Sequence, residues 1–222
     1  MAKHQNTELV WYLSYGSNLM KERFMCYVEG GRPKGSNKDY RGCRDKTPPQ
    51  DSRSDRISYP LYFAHWSDTW NGGIAFIKRR KSDDEGMTFA RRYLITKSQL
   101  EGVVAQENSS CDGDALYAFD LQHLLDRGTL SVGDRLYDYL MVLGHDQGAP
   151  VVTLTTSREL GSEKPSAEYV TTIALGLRET HGMSPEEASS YLLERDGIEG
   201  LFEKPDLLSI VRTAFEETAP DV

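Results

Sequence analysis

Cysteine is scarce in this 222-residue chain: there are three, Cys26, Cys43 and Cys111. An odd, scattered set without C-x-x-C spacing excludes a disulfide framework and a zinc knuckle, and fits a reducing compartment. Long apolar runs are missing too. None approaches the ~18 residues a membrane span needs, and the first ten residues lack the apolar core of a signal peptide. Positive charge is in deficit, with 26 Lys and Arg against 34 Asp and Glu and a formal net charge of -8. That balance is the reverse of a nucleic-acid footprint. The basic clusters Lys78-Arg79-Arg80-Lys81 and Arg91-Arg92 read as solvated strand ends. The five histidines, His4, His65, His123, His145 and His181, have no metal-ligand spacing. There is no G-x-S-x-G or H-E-x-x-H, and Gly72-Gly73 lacks the surroundings of a nucleotide loop. The expectation is a soluble cytoplasmic protein with no metal, no nucleic-acid partner and no membrane partner.

What is present fits a globular chain: 38% hydrophobic and 10% aromatic residues. Val10 to Tyr15 is predicted to be a strand stopped by Gly16, and Asn18 to cap a helix through Met25. Residues 29–55 are rich in Gly, Pro, Ser and charge without a period, and are expected to form a long loop. Strands are expected at Ile57 to Ala64, Gly73 to Lys78 and Thr88 to Ile95, with Gly72-Gly73 marking a turn or a close backbone approach. Thr96 and Gln99 form a capping-box pattern for a helix. Leu136 to Leu143 and Val151 to Thr156 are expected to pair across a turn from Gly144 to Pro150. The period then changes. Ser166 caps a helix ended by Gly182, Ser184-Pro-Glu-Glu187 starts another running to near Gly197, and a last one covers Pro205 to Glu217. Strands first and helices later predict one α+β domain over 1–222, with a mainly antiparallel, barrel-like sheet, packed helices and a helical region at 166–217.

Two features carry chemistry. In Tyr15-Gly-Ser-Asn-Leu19 a strand turns into a helix, which leaves backbone N–H groups and a positive helix end able to hold a carboxylate. The same pattern also describes an ordinary capped helix. Glu107 follows Val103 by four and Leu100 by seven, so it projects from the apolar face of its helix. Desolvation there would raise its pKa toward that of a general base; fraying at Gln106 would instead turn it to water. Cys43, in Arg41-Gly-Cys-Arg-Asp45, has basic neighbours that favour a thiolate, with His65 as a conceivable base.

Together these stretches resemble the γ-glutamylcyclotransferase-like superfamily, which includes AIG2-like proteins. The resemblance rests on Tyr12-Leu-Ser-Tyr-Gly-Ser-Asn-Leu19, on Leu61-Tyr-Phe-Ala-His-Trp-Ser and Trp70-Asn-Gly-Gly-Ile-Ala-Phe76, on Tyr93 through Glu107, and on Pro165-Ser-Ala-Glu-Tyr169 with Ile173, Gly176 and Glu179. It implies cofactor-independent release of 5-oxoproline from a small γ-glutamyl substrate. It assigns Glu107 the proton transfer, and gives the glutamyl group to Tyr12, Leu13, Ser14, Tyr15, Gly16, Ser17, Asn18 and Leu19. Tyr169 would close the pocket. Members often carry glycine after the glutamate, where this chain has Asn108. The alternatives are a non-enzymatic small-molecule binder using the same pocket and a Cys43-dependent amidase or acyltransferase.

Overall fold

The structure, a computed structural model, describes residues 8–33, 38–83, 87–108 and 117–218. Cys111 and His4 lie outside them. The first strand, β1 (Leu9–Ser14), leads through a single 3-10 turn (Ser17–Leu19) into α1 (Lys21–Glu29). Strands β2 (Asp51–Ile57), β3 (Leu61–Ser67), β4 (Gly72–Ile77) and β5 (Thr88–Thr96) precede α2 (Lys97–Glu107). Then come α3 (Leu121–Arg127), β6 (Thr129–Ser131), β7 (Tyr139–Asp146) and β8 (Ala149–Thr155). Three helices follow: α4 (Ala167–His181), α5 (Pro185–Leu193) and α6 (Lys204–Glu217).

The fold is α+β. Six strands form one sheet in the order β2-β5-β1-β8-β7-β6, and β3 and β4 form a separate ribbon. Within the six-stranded sheet only β1 and β8 run parallel; its other pairings are antiparallel. The sheet is open, with β2 and β6 at its edges, rather than closed into a barrel. β1 and β8 lie at its centre and are buried along almost their whole length, as strands covered on both faces must be.

The loop expected at 29–55 is shorter than predicted, because Asp51–Ile57 pairs along its full length with β5. This strand escapes sequence reading because Asp51, Ser52, Arg53, Ser54, Asp55 and Arg56 show no apolar alternation. It is an edge strand, where charge discourages pairing with another chain. The strand expected from Ile57 to Ala64 divides at Ser58-Tyr59-Pro60, since proline withholds a ladder donor. The expected turn from Gly144 to Pro150 shrinks to Gln147-Gly148, both at positive φ (50° and 81°) as the tight hairpin turn demands.

The helix signals at Thr96, Ser166 and Ser184 hold, although the helix begun at Ser184 ends at Leu193, short of the expected Gly197. Thr96 and Gln99 form a reciprocal capping box on α2, and Ser184 with Glu187 forms another on α5. Ser166 caps α4, and Gly182 ends it in the left-handed conformation. The Gly72-Gly73 pair marks a close approach: a Cβ on Gly73 would sit 2.1 Å from the Glu163 carbonyl oxygen. Gly73 N–H donates to Lys164 O at 2.8 Å, which ties β4 to the segment leading into α4. Among the described residues no helix is long and apolar enough to cross a membrane.

Candidate active site

The strand β1 ends at Ser14, and the chain bends at Gly16 with Leu19 N–H donating to Gly16 O at 2.9 Å. The helix expected from Asn18 therefore begins later, at Lys21, and a 3-10 turn occupies its place. A side chain at Gly16 would press on Ala75 Cβ (3.1 Å) and the Tyr169 hydroxyl (3.3 Å), so β4 and α4 close directly over this bend. Beside it lies a cavity of about 90 Å³, several times the space one water needs.

Tyr12, Ser14, Tyr15, Gly16, Ser17, Asn18, Glu107 and Tyr169 all line this cavity. Leu13 and Leu19 do not. Leu13 is buried in the core and its carbonyl accepts from Thr153 Oγ1 at 2.8 Å; the Leu19 carbonyl accepts from Arg91 Nη1 at 3.1 Å. The period of two along a strand sends Leu13 to the face opposite Tyr12 and Ser14, so a contiguous motif overstates the site.

Glu107 is the last residue of α2 and does not fray into water. Asn108 donates through Nδ2 to Val104 O (3.0 Å) and Tyr137 O (2.8 Å), and accepts from Tyr137 N–H (2.9 Å). Gln106 is buried and donates to Tyr27 O at 2.9 Å. Held on both sides, the Glu107 carboxylate sits deep in protein and keeps partial contact with solvent through the cavity. Asn18 Nδ2 donates to Glu107 Oε1 at 3.1 Å and to the Tyr12 hydroxyl at 3.3 Å. This joins two segments 89 residues apart. Burial raises the Glu107 pKa, and the opposing pull of Arg23, Tyr27, Lys38 and Asn18 only partly cancels that.

Tyr169 packs its ring against Trp70, with centroids 4.8 Å apart, and its hydroxyl accepts from Ala75 N–H at 3.1 Å. Tyr169→Phe should keep the ring packing but strand a buried N–H of β4, at a cost of about 1–3 kcal/mol. A thermal melt reads this directly. An unchanged melting temperature would mean that the Ala75 bond contributes nothing.

Several lining residues escaped sequence reading, Arg23, Tyr27, Tyr40, Trp70 and Tyr137 among them. Arg23 and Tyr27 stand four apart on α1, one position before the buried Phe24 and Val28. That spacing is a usable signal. Tyr40 lies in an irregular segment where no period exists to read; Tyr137 falls in the strand expected from Leu136, but β7 begins only at Tyr139 and Tyr137 sits in the bend before it. Arg23 Nη2 donates to the Tyr40 hydroxyl at 2.7 Å and the Tyr27 hydroxyl at 3.2 Å, and the guanidinium lies over both rings. Burial works against its charge, but Tyr27, Tyr40 and Glu107 more than offset that and hold it protonated.

Cys43 is buried outside the cavity lining, its thiol donating to Tyr27 O at 3.2 Å. It packs so closely on Gly102 that a Cβ there would meet Sγ at 2.7 Å. His65 is exposed, at a bulge in β3. The thiol therefore does not face the cavity. Among the described residues no cluster of His, Cys, Asp and Glu could hold a metal.

No family model matches the chain. Histone deacetylase 5 of Arabidopsis thaliana is 32% identical over 200 residues, covering 82% of this chain and 30% of that protein. The chain thus spans less than a third of that relative's length. Similar solved structures include two that cover nearly all of this chain. One is a gamma-glutamyl cyclotransferase, with 18% identity, 93% of this chain and 99% of the other covered, and a TM-score of 0.48. The second is an uncharacterised protein from Homo sapiens, with 19% identity, 91% and 99% covered, and a TM-score of 0.49.

Proposed function

We propose that this chain is a γ-glutamylcyclotransferase-like enzyme of one domain, working in the reducing cytoplasm on a small γ-glutamyl amide or amine. The observation that carries this reading is the hydrogen bond from Asn18 to Glu107. It holds a partly desolvated carboxylate beside the turn at Gly16–Ser17, at the cavity of about 90 Å³. A general base must lie this close to the proton it takes.

The substrate brings its own nucleophile. Its α-amine attacks the γ-carbonyl carbon, a C–N bond closes the five-membered ring, and the bond to the leaving amine breaks. Glu107 takes the proton released by the attacking nitrogen and delivers one to the departing nitrogen, so no cofactor is required. The backbone at Tyr15, Gly16 and Ser17, just past the last paired residue of β1, holds the glutamyl group and the oxygen that gains charge. The protein chiefly supplies orientation, which can be worth several powers of ten in rate.

Purified protein incubated with a panel of γ-glutamyl amides and dipeptides should release 5-oxoproline. If none is released from any member of the panel, the same cavity is better read as that of a binding protein. The rate should also rise with pH. Glu107 acts as a base only when ionised, and burial favours its protonated form. The acid limb of kcat/KM should therefore have its midpoint above the ordinary glutamate value of 4.5. A midpoint at or below that value would show that the group controlling the rate is not a desolvated glutamate.

A further inference from the structure

Among the described residues five buried side-chain atoms have no hydrogen-bond partner, and three of them belong to cavity-lining residues: Asn18 Oδ1, Arg23 Nε and Arg23 Nη1. Arg23 is only 2% exposed. Its one engaged nitrogen, Nη2, is used by Tyr27 and Tyr40. A buried cation with two unanswered donors is costly. Its position on α1 adds to the cost, because Arg23 lies in the first turn, where the helix end is already positive. The aromatic rings and Glu107 support the charge, but among the described residues nothing answers its Nε–H and Nη1–H. An anion entering the cavity would.

We propose that Arg23 is the carboxylate-holding residue of this cavity, its free Nε–H and Nη1–H donating to a carboxylate of the bound ligand. The unpartnered Asn18 Oδ1 then accepts from the ligand's amine, on the side where Asn18 also holds Glu107. The cavity thus offers a cationic wall and an anionic wall to a ligand that carries both charges. That the ligand is a γ-glutamyl compound rests on the function proposed above; the demand of Arg23 for an anion does not. A γ-glutamyl dipeptide has two carboxylates, one on the glutamyl group and one on the leaving amine, and either would satisfy the guanidinium.

The test separates these sources and does not depend on turnover. Calorimetric binding of 5-oxoproline is compared with that of 5-oxoprolinamide, which lacks the charge, in wild type, Arg23→Gln and Arg23→Lys. Steady-state KM is compared for γ-glutamylalanine and γ-glutamylalaninamide. Wild type should favour the acid over the amide by about tenfold to a hundredfold in one of the two pairs. Arg23→Gln should bring that ratio to near one, and Arg23→Lys should keep part of it. A loss confined to the first pair places the glutamyl carboxylate on Arg23; a loss confined to the second places the leaving-group carboxylate there. A general loss of folding would lower both members of a pair alike and leave the ratio unchanged. Arg23→Lys keeps a charge in the buried site should Arg23→Gln fail to fold. No preference in wild type, or the wild-type ratio kept in a folded Arg23 variant, overturns the proposal. An Arg23-dependent preference for 5-oxoproline without 5-oxoproline release from any substrate leaves the carboxylate site standing and removes the reaction. Turnover with ratios indifferent to Arg23 does the reverse.

Discussion

Glu107→Gln is expected to lower 5-oxoproline release by roughly a hundredfold to ten-thousandfold, the usual contribution of a positioned acid–base group, while ligand binding changes only a few-fold. Glutamine has the same shape, and its carbonyl oxygen can still accept the hydrogen bond from Asn18 now made to Oε1. The Asn108 bonds that hold the end of α2 involve none of the altered atoms. Only the ability to take and return a proton is lost. Release is measured by chromatography of 5-oxoproline, and binding by calorimetry with the same product. Retention of more than about a tenth of the wild-type rate would sink the assignment of Glu107 as the base. Loss of rate and binding together would make it a binding residue instead. The prediction is sharp because, among the described residues, the cavity lining holds no carboxylate besides Glu107.

Gly176→Ala should destabilise the protein by about 2–3 kcal/mol, within the usual cost of overpacking. Helix propensity alone argues the other way, since alanine in mid-helix is worth roughly 1 kcal/mol over glycine. Sterics decide the sign. A Cβ on Gly176 would lie 2.5 Å from Leu19 Cβ and 2.7 Å from Met20 N. One of those contacts is with backbone, which cannot rotate away. To relieve it, α4 or the Ser17–Leu19 turn must shift, and that turn carries Asn18. Activity should therefore fall by more than the loss of folded protein explains. For a chain of this size the melting temperature should drop by about 4–12 °C. Gly161→Ala is the matched control: nothing lies within 4 Å of a Cβ there, so its effect should stay within about 0.5 kcal/mol. A Gly176→Ala protein as stable as wild type would show that the α4 contact is not tight.

The sequence discloses this fold best where single residues do a single physical job. Ser166, Gly182, Ser184 and Glu187 mark helix ends because side-chain oxygens and left-handed glycines satisfy backbone groups there. Glu107 lines the cavity as its spacing from Leu100 and Val103 suggests, but the stripe is not the reason: α2 is buried nearly all round, from Gly102 to Gln106 without a break. β2 was not legible, because its partner strand and not its own pattern makes it a strand. Arg23 is not legible in the sequence, because a charged residue beside an apolar stripe reads as surface until something covers it. Here the covering comes from Tyr40, in an irregular segment, and from Trp70 in the turn between β3 and β4. A motif taken as a unit extends the site to Leu13 and Leu19, although strand alternation by itself separates Leu13 from Tyr12 and Ser14.

The parallel pairing of β1 with β8 has a consequence during synthesis on the ribosome. The contact between Leu13 and Thr153 spans 140 residues. At ordinary translation speeds the emerging β1 waits roughly 7–30 s for that neighbour to be made. Throughout that interval Val10-Trp11-Tyr12-Leu13 is an apolar segment with an open edge, a natural target for chaperones and for mispairing. The cavity cannot form until this delay ends. A nascent chain stopped before β8 should therefore be both inactive and prone to aggregate, however complete its N-terminal motif.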